Sequence, residues 1–438
     1  MSDFPARNVF PATAAVNARG HLSLGGCDVT DLAAQFGTPL YVFDERTLRE
    51  RCQSYLREFQ GRYPKTRVIY ASKAFTNLAL TRLLVEEGLG MDVVSGGEMA
   101  AAKAGGMPAR NVYFHGNNKS RKELEEAASW GVGRVVVDNV HELSLLNEVA
   151  QAAGHTQDIM LRVSPAVDPH THAYISTGIL DSKFGFPIGT GQAEQAIKQV
   201  LASSHLRLVG LHCHIGSQLF ETQPYREAIR IALEFASRMR EEGLKLQEFS
   251  PGGGFGIAYT RDQSPPTTAQ YAEALTSALK EGCQRTGLEQ PTMVIEPGRS
   301  IVGSAGVAVY TVGSRKAIPG IRTYVSVDGG MGDNIRPALY QAVYEAVVAN
   351  RMNEPAAEVV TIAGKFCESG DILVKDVELP ATQPGDLLAL PAAGAYCVPM
   401  ASNYNMSTKP AIIMVRDGAA RLIRRRETYQ DLMSADVV

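Results

Sequence analysis

No stretch of this sequence stays apolar for anything near the roughly 18 residues that a membrane-spanning helix requires, so no helical span is expected. An excess of one charge is also missing. The 43 Lys and Arg residues face 46 Asp and Glu, leaving a net charge of −3 at pH 7. Without a basic field, neither nucleic acid nor an anionic membrane surface is expected as a partner. The one basic cluster, Arg424–Arg425–Arg426, is followed by Glu427 and reads as a solvated face. Six cysteines, at 27, 52, 213, 283, 367 and 397, form no CxxC pair. That pattern fits a reducing, cytoplasmic setting better than a disulfide scaffold. The N-terminal MSDFPARNVF has an early acid and no continuous apolar core, unlike a secretory signal. Internal repeats and low-complexity segments are lacking too.

What is present is a regular alternation. The 438 residues, 45% of them hydrophobic, suffice for two domains. Residues 1–40 read as irregular chain or short strands without helix, and Glu45–Phe59 as a helix. Eight short apolar runs follow, at 67–71, 91–95, 112–116, 134–138, 158–163, 207–214, 246–250 and 293–297. Most intervals between them carry helical spacing, such as Leu78–Glu87, His141–Ala153 and Tyr225–Glu242. Strand–helix alternation implies a parallel sheet with right-handed crossovers, and eight units match a (β/α)₈ barrel, with a doubly wound sheet as the alternative. After residue 300, apolar runs separated by Gly, Pro, Asp and Asn read as a predominantly β domain, interrupted by a helix over 337–350. The expected domains are thus a barrel at 41–300 and a β-rich domain at 301–438, which residues 1–40 help complete.

The polar residues favour the barrel over the open sheet. Lys73, Ser95, His115, Asp138, Arg162, His212 with His214, Gly252–Gly254, and Glu296 with Gly298–Arg299 follow or end the eight runs in order. The amino ends show no such set. Barrel active sites lie on the carboxyl-end face.

Each element of that face has a plain and a chemical reading. The glycines of SPGGGFG are either a flexible turn or a backbone cradle for an anion. Their place after the seventh run, with PGRS after the eighth, favours a phosphate site. His212 and His214 alternate on a strand, so they share a face; they are core residues, metal ligands, or a surface on which an aromatic cofactor lies. The other strand ends lack the further His and acid ligands that a metal site needs, so no metal is expected. Glu296 ends an apolar strand and needs a partner there. Arg162 is one candidate; a protonated ring nitrogen is the other. Lysine, phosphate cradle, stacking histidine and ring-pairing glutamate are together the requirements of pyridoxal 5′-phosphate (PLP).

The motifs YASKAF, GMDVVSGGE, HGNNKS, STGILDSKFGF, HCHIGSQ, GGGFGI, EPGRSIVG, DNIRPALY, CESGD and GAYCVPMASNYN closely resemble the diaminopimelate decarboxylase family. That family belongs to the barrel-type PLP decarboxylases, related to ornithine decarboxylase and alanine racemase. The resemblance extends from about residue 25 to 433. It implies the alanine racemase-like fold (fold type III), a PLP-binding barrel with a C-terminal β domain, assembled as a head-to-tail homodimer with shared active sites. By position, Lys73 would carry PLP covalently, His214 would stack on its ring, Glu296 would hold the ring nitrogen, and Asp92 would lie near the lysine linkage. Ser217, Gly252, Gly253, Gly254, Gly298, the Arg299 backbone and Tyr396 would hold the phosphate. Arg299, Arg336 and Tyr340, with Tyr396 alongside, would bind the distal end of the substrate. Cys367, the proton donor, and Glu368, the partner of the distal ammonium, would come from the second subunit.

The implied reaction is decarboxylation of meso-2,6-diaminopimelate at its D-centre to L-lysine and CO₂, the last step of lysine biosynthesis. Two arginines and a tyrosine beside an acid suit a substrate whose far end is itself an amino acid, because guanidinium matches carboxylate bidentately. The rival substrates are D-lysine, D-ornithine or a carboxynorspermidine-like precursor. A racemase would need a second base where Cys367 stands, and a non-catalytic PLP-binding regulator would tolerate loss of Lys73 or Cys367. Departures from the family pattern are Cys397, the Met331–Gly332 turn, and Ile179–Leu180 in a loop expected to cover the site. Neither Cys397 nor the turn is expected to touch an implied role.

Overall fold

The computed structural model describes residues 4–167 and 182–437. Most of the loop containing Ile179–Leu180 lies outside the described residues. Chain contacts divide the molecule into two units, one made of Cys52–Gly256 and Pro265–Gly298, the other of Met1–Arg51, Ile257–Ser264 and Arg299–Val438.

The first unit is a closed barrel. Its strands are β1 (Thr66–Ala71), β2 (Gly90–Val93), β3 (Val112–Phe114), β4 (Arg134–Val137), β5 (Gln157–Ser164), β6 (Leu206–His212), β7 (Glu248–Gly253) and β8 (Thr292–Glu296). Each pairs in parallel with the next, and β8 pairs back to β1, so the sheet has no free edge within the barrel. The eight runs of the sequence correspond one to one with these strands. The strands are short and rich in Val, Ile and aromatic residues, which fit a surface buried on both faces. A layer of Ile69, Tyr113, Val136, Met160, Val209 and Val294 packs together as one buried cluster. The connecting helices carry strong start signals. Asn77, Ser95, Ser120 and Asn139 each accept a backbone N–H three residues on, and Ser120 with Glu123 completes a capping box.

The amino end of the barrel is more polar than the sequence suggests. The buried Glu248 carboxylate accepts hydrogen bonds from Arg67 (3.1 Å), Arg134 (2.7 Å) and the Tyr113 hydroxyl (3.0 Å). Two guanidiniums and a phenol satisfy the acid, so this end holds a structural ion cluster that periodicity alone could not distinguish from surface charge.

The second unit is built on a twisted sheet with strand order Ile372–Leu379, Glu358–Ala363, Arg322–Val327, Gly306–Ile318, Leu40–Asp44, Ala411–Arg416, Ala419–Arg424. Leu40–Asp44 is buried throughout, antiparallel to Gly306–Ile318 and parallel to Ala411–Arg416. The division in the chain therefore falls at Arg51 rather than at residue 41. Two local expectations are corrected. Residues 1–40 do contain a helix, Val29–Phe36, started by the Asp28 carboxylate on the Thr30 N–H. The expected helix over 337–350 is only Arg336–Tyr340. Gln341 turns left-handed (φ 54°) and ends it, and the β-branched pair Val347–Val348 joins strand Leu387–Leu390.

Candidate active site

The carboxyl end of the barrel collects the first group of expected site residues. Lys73 stands in a single 3₁₀ turn, Ser72–Ala74, directly after β1. That turn is fixed from both sides. The Tyr70 hydroxyl donates to the Phe75 carbonyl (2.7 Å) and the Thr76 hydroxyl to the Ser72 carbonyl (2.8 Å). The lysine side chain itself is exposed. Asp92, paired in register with Ala71, is buried, and its Oδ1 has no hydrogen-bond partner among the described residues. Burial pushes its carboxyl well above the usual range; the Lys73 charge pulls the other way, while Glu296 adds to the rise.

Glu296 ends β8 and is the most heavily engaged acid of this face. Its Oε1 accepts from the Ser250 hydroxyl (2.7 Å), its Oε2 lies 3.1 Å from His212 Nε2, and His115 Nε2 lies 3.8 Å from Oε1. The two imidazoles meet edge to face, 4.9 Å apart at 74°. Burial alone would raise this carboxyl, but the two histidines and the serine hold it well below the ordinary range. Burial also drives His115 well below its usual value, which favours its neutral form. Arg162, the protein partner considered for Glu296, instead reaches toward Asp138 (3.9 Å) and stacks on Phe184. His115, His212 and Glu296 are the grouping among the described residues whose ligand atoms converge closely enough for a metal. Both carboxylate oxygens already accept hydrogen bonds from Ser250 and His212.

The alternation expected for His212 and His214 stops at His212, where β6 ends. His214 lies beyond the strand, against the glycines. A Cβ added to Gly252 would stand 2.9 Å from His214 Nδ1 and 2.6 Å from the Cys213 carbonyl. The glycine run is itself partly strand. Gly252 and Gly253 pair with Ile295 and Glu296 after a register shift. Gly252 (φ 82°) and Gly254 (φ 93°) take left-handed conformations, and a Cβ at Gly254 would meet the Gly216 carbonyl at 2.2 Å. Only glycine fits this close backbone approach. Ser217 is exposed just after Gly216. Gly298 packs on the end of β1, where a Cβ would come within 2.9 Å of Ala71 Cβ, so the Lys73 turn and the PGRS turn are neighbours. A glycine cradle, a firmly charged carboxylate and the buried Asp92 Oδ1 and His212 Nδ1, without a hydrogen-bond partner among the described residues, fit PLP, which brings a phosphate and a polar ring.

The β-rich unit holds the second group. The Arg299 guanidinium lies 4.7 Å from the Tyr396 ring centroid and donates from Nη1 to the Tyr259 hydroxyl. Arg336 is buried with its guanidinium 4.5 Å from the Tyr259 ring centroid and 5.5 Å from that of Tyr344, to whose hydroxyl its Nη1 donates. Burial disfavours its charge, but the two phenols more than compensate and raise it. Tyr396 takes φ 61°, unusual for a bulky side chain and typical of constrained functional positions. Tyr340 is 60% exposed. Cys367 and Glu368 are exposed in a turn of their own. The Cys367 N–H donates to Asn405 Oδ1 (3.2 Å), and the Glu368 carboxylate accepts from the Gly370 N–H (3.3 Å).

Cys397 makes its hydrogen bonds with Tyr344, whose hydroxyl lies 3.5 Å from its Sγ, and with the Ala395 carbonyl, so it stands one residue removed from Arg336. Sequence reasoning also missed Tyr259, Tyr344 and Ser250 as partners, and it noted His115 without assigning it a contact. Asn334, buried with neither amide atom partnered among the described residues, was missed as well. A tyrosine three residues beyond GGGFG was the one available signal for Tyr259.

Comparison with known proteins agrees with this chemistry. Residues 45–303 match the family model described as pyridoxal-dependent decarboxylase, pyridoxal binding domain. The diaminopimelate decarboxylase of Bacillus subtilis is 49% identical, over 97% of both chains. That of Synechocystis is 48% identical, over 99% of this chain and 94% of its own. The crystal structure of diaminopimelate decarboxylase from M. jannaschii in co-complex with L-lysine superposes with a TM-score of 0.92 at 38% identity, covering 98% of each chain. The chain belongs to the diaminopimelate decarboxylase family of pyridoxal-dependent decarboxylases.

Proposed function

We propose that the chain decarboxylates meso-2,6-diaminopimelate at its D-centre, releasing CO₂ and L-lysine, with PLP as cofactor. The observation that carries the reading is the pair Arg299 and Arg336, both held against Tyr259 in the β-rich unit. Two guanidiniums suit a substrate that keeps a second carboxylate at its far end. The full-length similarity to diaminopimelate decarboxylases, one of them crystallised with L-lysine, supports the same substrate and product.

Bound PLP supplies an electron sink for the pair left behind when CO₂ departs. The protein's part is holding and proton handling. Lys73 would hold the cofactor covalently at the end of β1. Glu296, kept ionised by His212, His115 and Ser250, holds the proton on the ring nitrogen. His214, packed against Gly252, would stack on the cofactor ring. Gly252, Gly253, Gly254, Ser217, Gly298, the Arg299 backbone and Tyr396 take the phosphate, and Asp92 faces the lysine linkage. Arg299, Arg336 and Tyr340 orient the distal carboxylate. Cys367 returns a proton to the carbon that lost CO₂, and Glu368 meets the distal ammonium. The exposure of Cys367 and Glu368 supports their reaching a second subunit, and so a homodimer with shared sites. Six free cysteines suit a reducing, cytoplasmic setting.

The reading is tested by CO₂ release from meso-diaminopimelate beside D-lysine, D-ornithine and L-ornithine. Meso-diaminopimelate is expected to lead by at least about tenfold in kcat/KM, the scale of one lost charged contact; a faster D-lysine reaction would overturn the assignment. Mixing Lys73→Ala with Cys367→Ala subunits should restore part of the activity, and no recovery would argue against shared sites.

A further inference from the structure

The chain makes one excursion that the barrel does not require. Between β7 and the helix Thr268–Thr286, the residues Ile257–Ser264 belong to the β-rich unit. The excursion is anchored there near its middle, where Arg261 forms a bidentate pair with Glu345, donating from Nε (3.0 Å) and Nη2 (2.7 Å). Near its start it carries Tyr259, which is 6% exposed.

Tyr259 touches both arginines, and in two different ways. Its hydroxyl accepts a hydrogen bond from Arg299 Nη1, while its ring face carries the Arg336 guanidinium at 4.5 Å. Tyr344 meets the Tyr259 ring edge to face (5.4 Å, 84°) and takes a hydrogen bond from Arg336 Nη1. Behind Tyr344 the polarity continues in one direction. With its oxygen accepting from Arg336, the Tyr344 hydroxyl is free to donate to Cys397 Sγ (3.5 Å), whose thiol donates to the Ala395 carbonyl (3.6 Å). A guanidinium pressed on an aromatic face loses rotational freedom yet keeps its in-plane N–H groups for a ligand. One phenol that fixes one arginine through its oxygen and the other through its ring sets their relative orientation.

We propose that Tyr259 is a positioning residue that sets the two guanidiniums for a carboxylate, with Tyr344 and Cys397 as its backing, and that it thereby determines selectivity for a substrate tail bearing a carboxylate. The inference rests on the assignment of Arg299 and Arg336 to the distal carboxylate. It concerns only how they are held.

The test uses the holoenzyme and two probes that differ by one carboxylate, L-lysine and cadaverine, as competitive inhibitors. Tyr259→Leu removes both contacts and should raise the KM for meso-diaminopimelate and the inhibition constant of L-lysine by at least about tenfold, the scale of one hydrogen bond to a charged group. The constant for cadaverine and the visible absorbance of bound cofactor should hold steady, with kcat changing less than KM. Tyr259→Phe, which keeps the ring, should give a smaller rise in the same two constants. An equal loss of L-lysine and cadaverine binding, or no loss of either, would overturn the proposal. Should the leucine variant fail to fold, Tyr259→Phe carries the test alone, and an unchanged L-lysine constant overturns it. Arg336→Met separates the two readings. If it spares L-lysine, the arginine assignment itself fails. If it weakens L-lysine while the Tyr259 variants do not, the positioning role alone fails.

Discussion

Glu296 in the barrel and Asp333 in the β-rich unit are both buried carboxylates, and their surroundings drive them in opposite directions. Burial raises each. At Glu296 it is overcome by two imidazoles and a serine hydroxyl, so the acid stays ionised. At Asp333 the Gly330 N–H and the Tyr310 hydroxyl (3.0 Å) offer hydrogen bonds, but Asp328 and Asp371 add repulsion to burial, and the carboxyl is pushed up to about 7. Loss of water is common to the two; the sign of the neighbouring charge differs. The first arrangement suits the proposed role of Glu296 beside a positive ring nitrogen. The turn Asp328–Asn334 tolerates the second.

The comparison breaks hardest at Glu296. Glu296→Gln keeps the shape and removes the charge, and should lower kcat/KM by about 10²–10³, the scale of a lost preorganised electrostatic partner. Cofactor absorbance should persist. A loss below tenfold would mean that the ring nitrogen does not depend on this acid. Asp333 is expected to show itself in stability. Its carboxyl keeps its proton in the folded chain from the unfolded range near about 4 up to about 7, so stability falls as pH rises through that window. Asp333→Asn should flatten that fall in unfolding midpoints measured from pH 5 to pH 8; parallel curves for the two proteins would refute it. The smallest effect is expected for Ser250→Ala, which removes one of the Glu296 hydrogen bonds. It should cost about 1 kcal/mol in denaturant unfolding, with activity reduced severalfold. A loss as deep as that of Glu296→Gln would mean that Ser250 has a separate role.

The barrel was legible because its signal is local. Runs such as RVIYA and MVIEP are buried on both faces, and their hydrophobicity needs no partner to be recognised. Lys73, the glycines and Glu296 inherit their positions from strand ends, so they were legible too, whereas Asp92 came only with the family resemblance. What escaped depends on contacts distant in sequence. Ser250 reads as the end of a strand, and only the fold brings it to Glu296, 46 positions on. Tyr259 and Arg336 stand 77 residues apart, as their numbering shows, and no periodicity links them. The helix Val29–Phe36 was missed because eight residues give barely two turns of pattern, and its signal is the single cap at Asp28. The supposed helix over 337–350 failed at Gln341, whose left-handed backbone no propensity foretells.

The placement of Leu40–Asp44 bears on how the polypeptide is made. This strand sits between Gly306–Ile318 and Ala411–Arg416, yet it leaves the ribosome long before either. At roughly 5–20 residues per second, the nascent chain waits about 20–70 s between completing this strand and completing its last neighbour. Five consecutive side chains that end fully sheltered spend that interval without their sheet, while the barrel can already assemble. During synthesis LYVFD therefore waits for both of its sheet neighbours, and a polar substitution there would weaken the finished sheet.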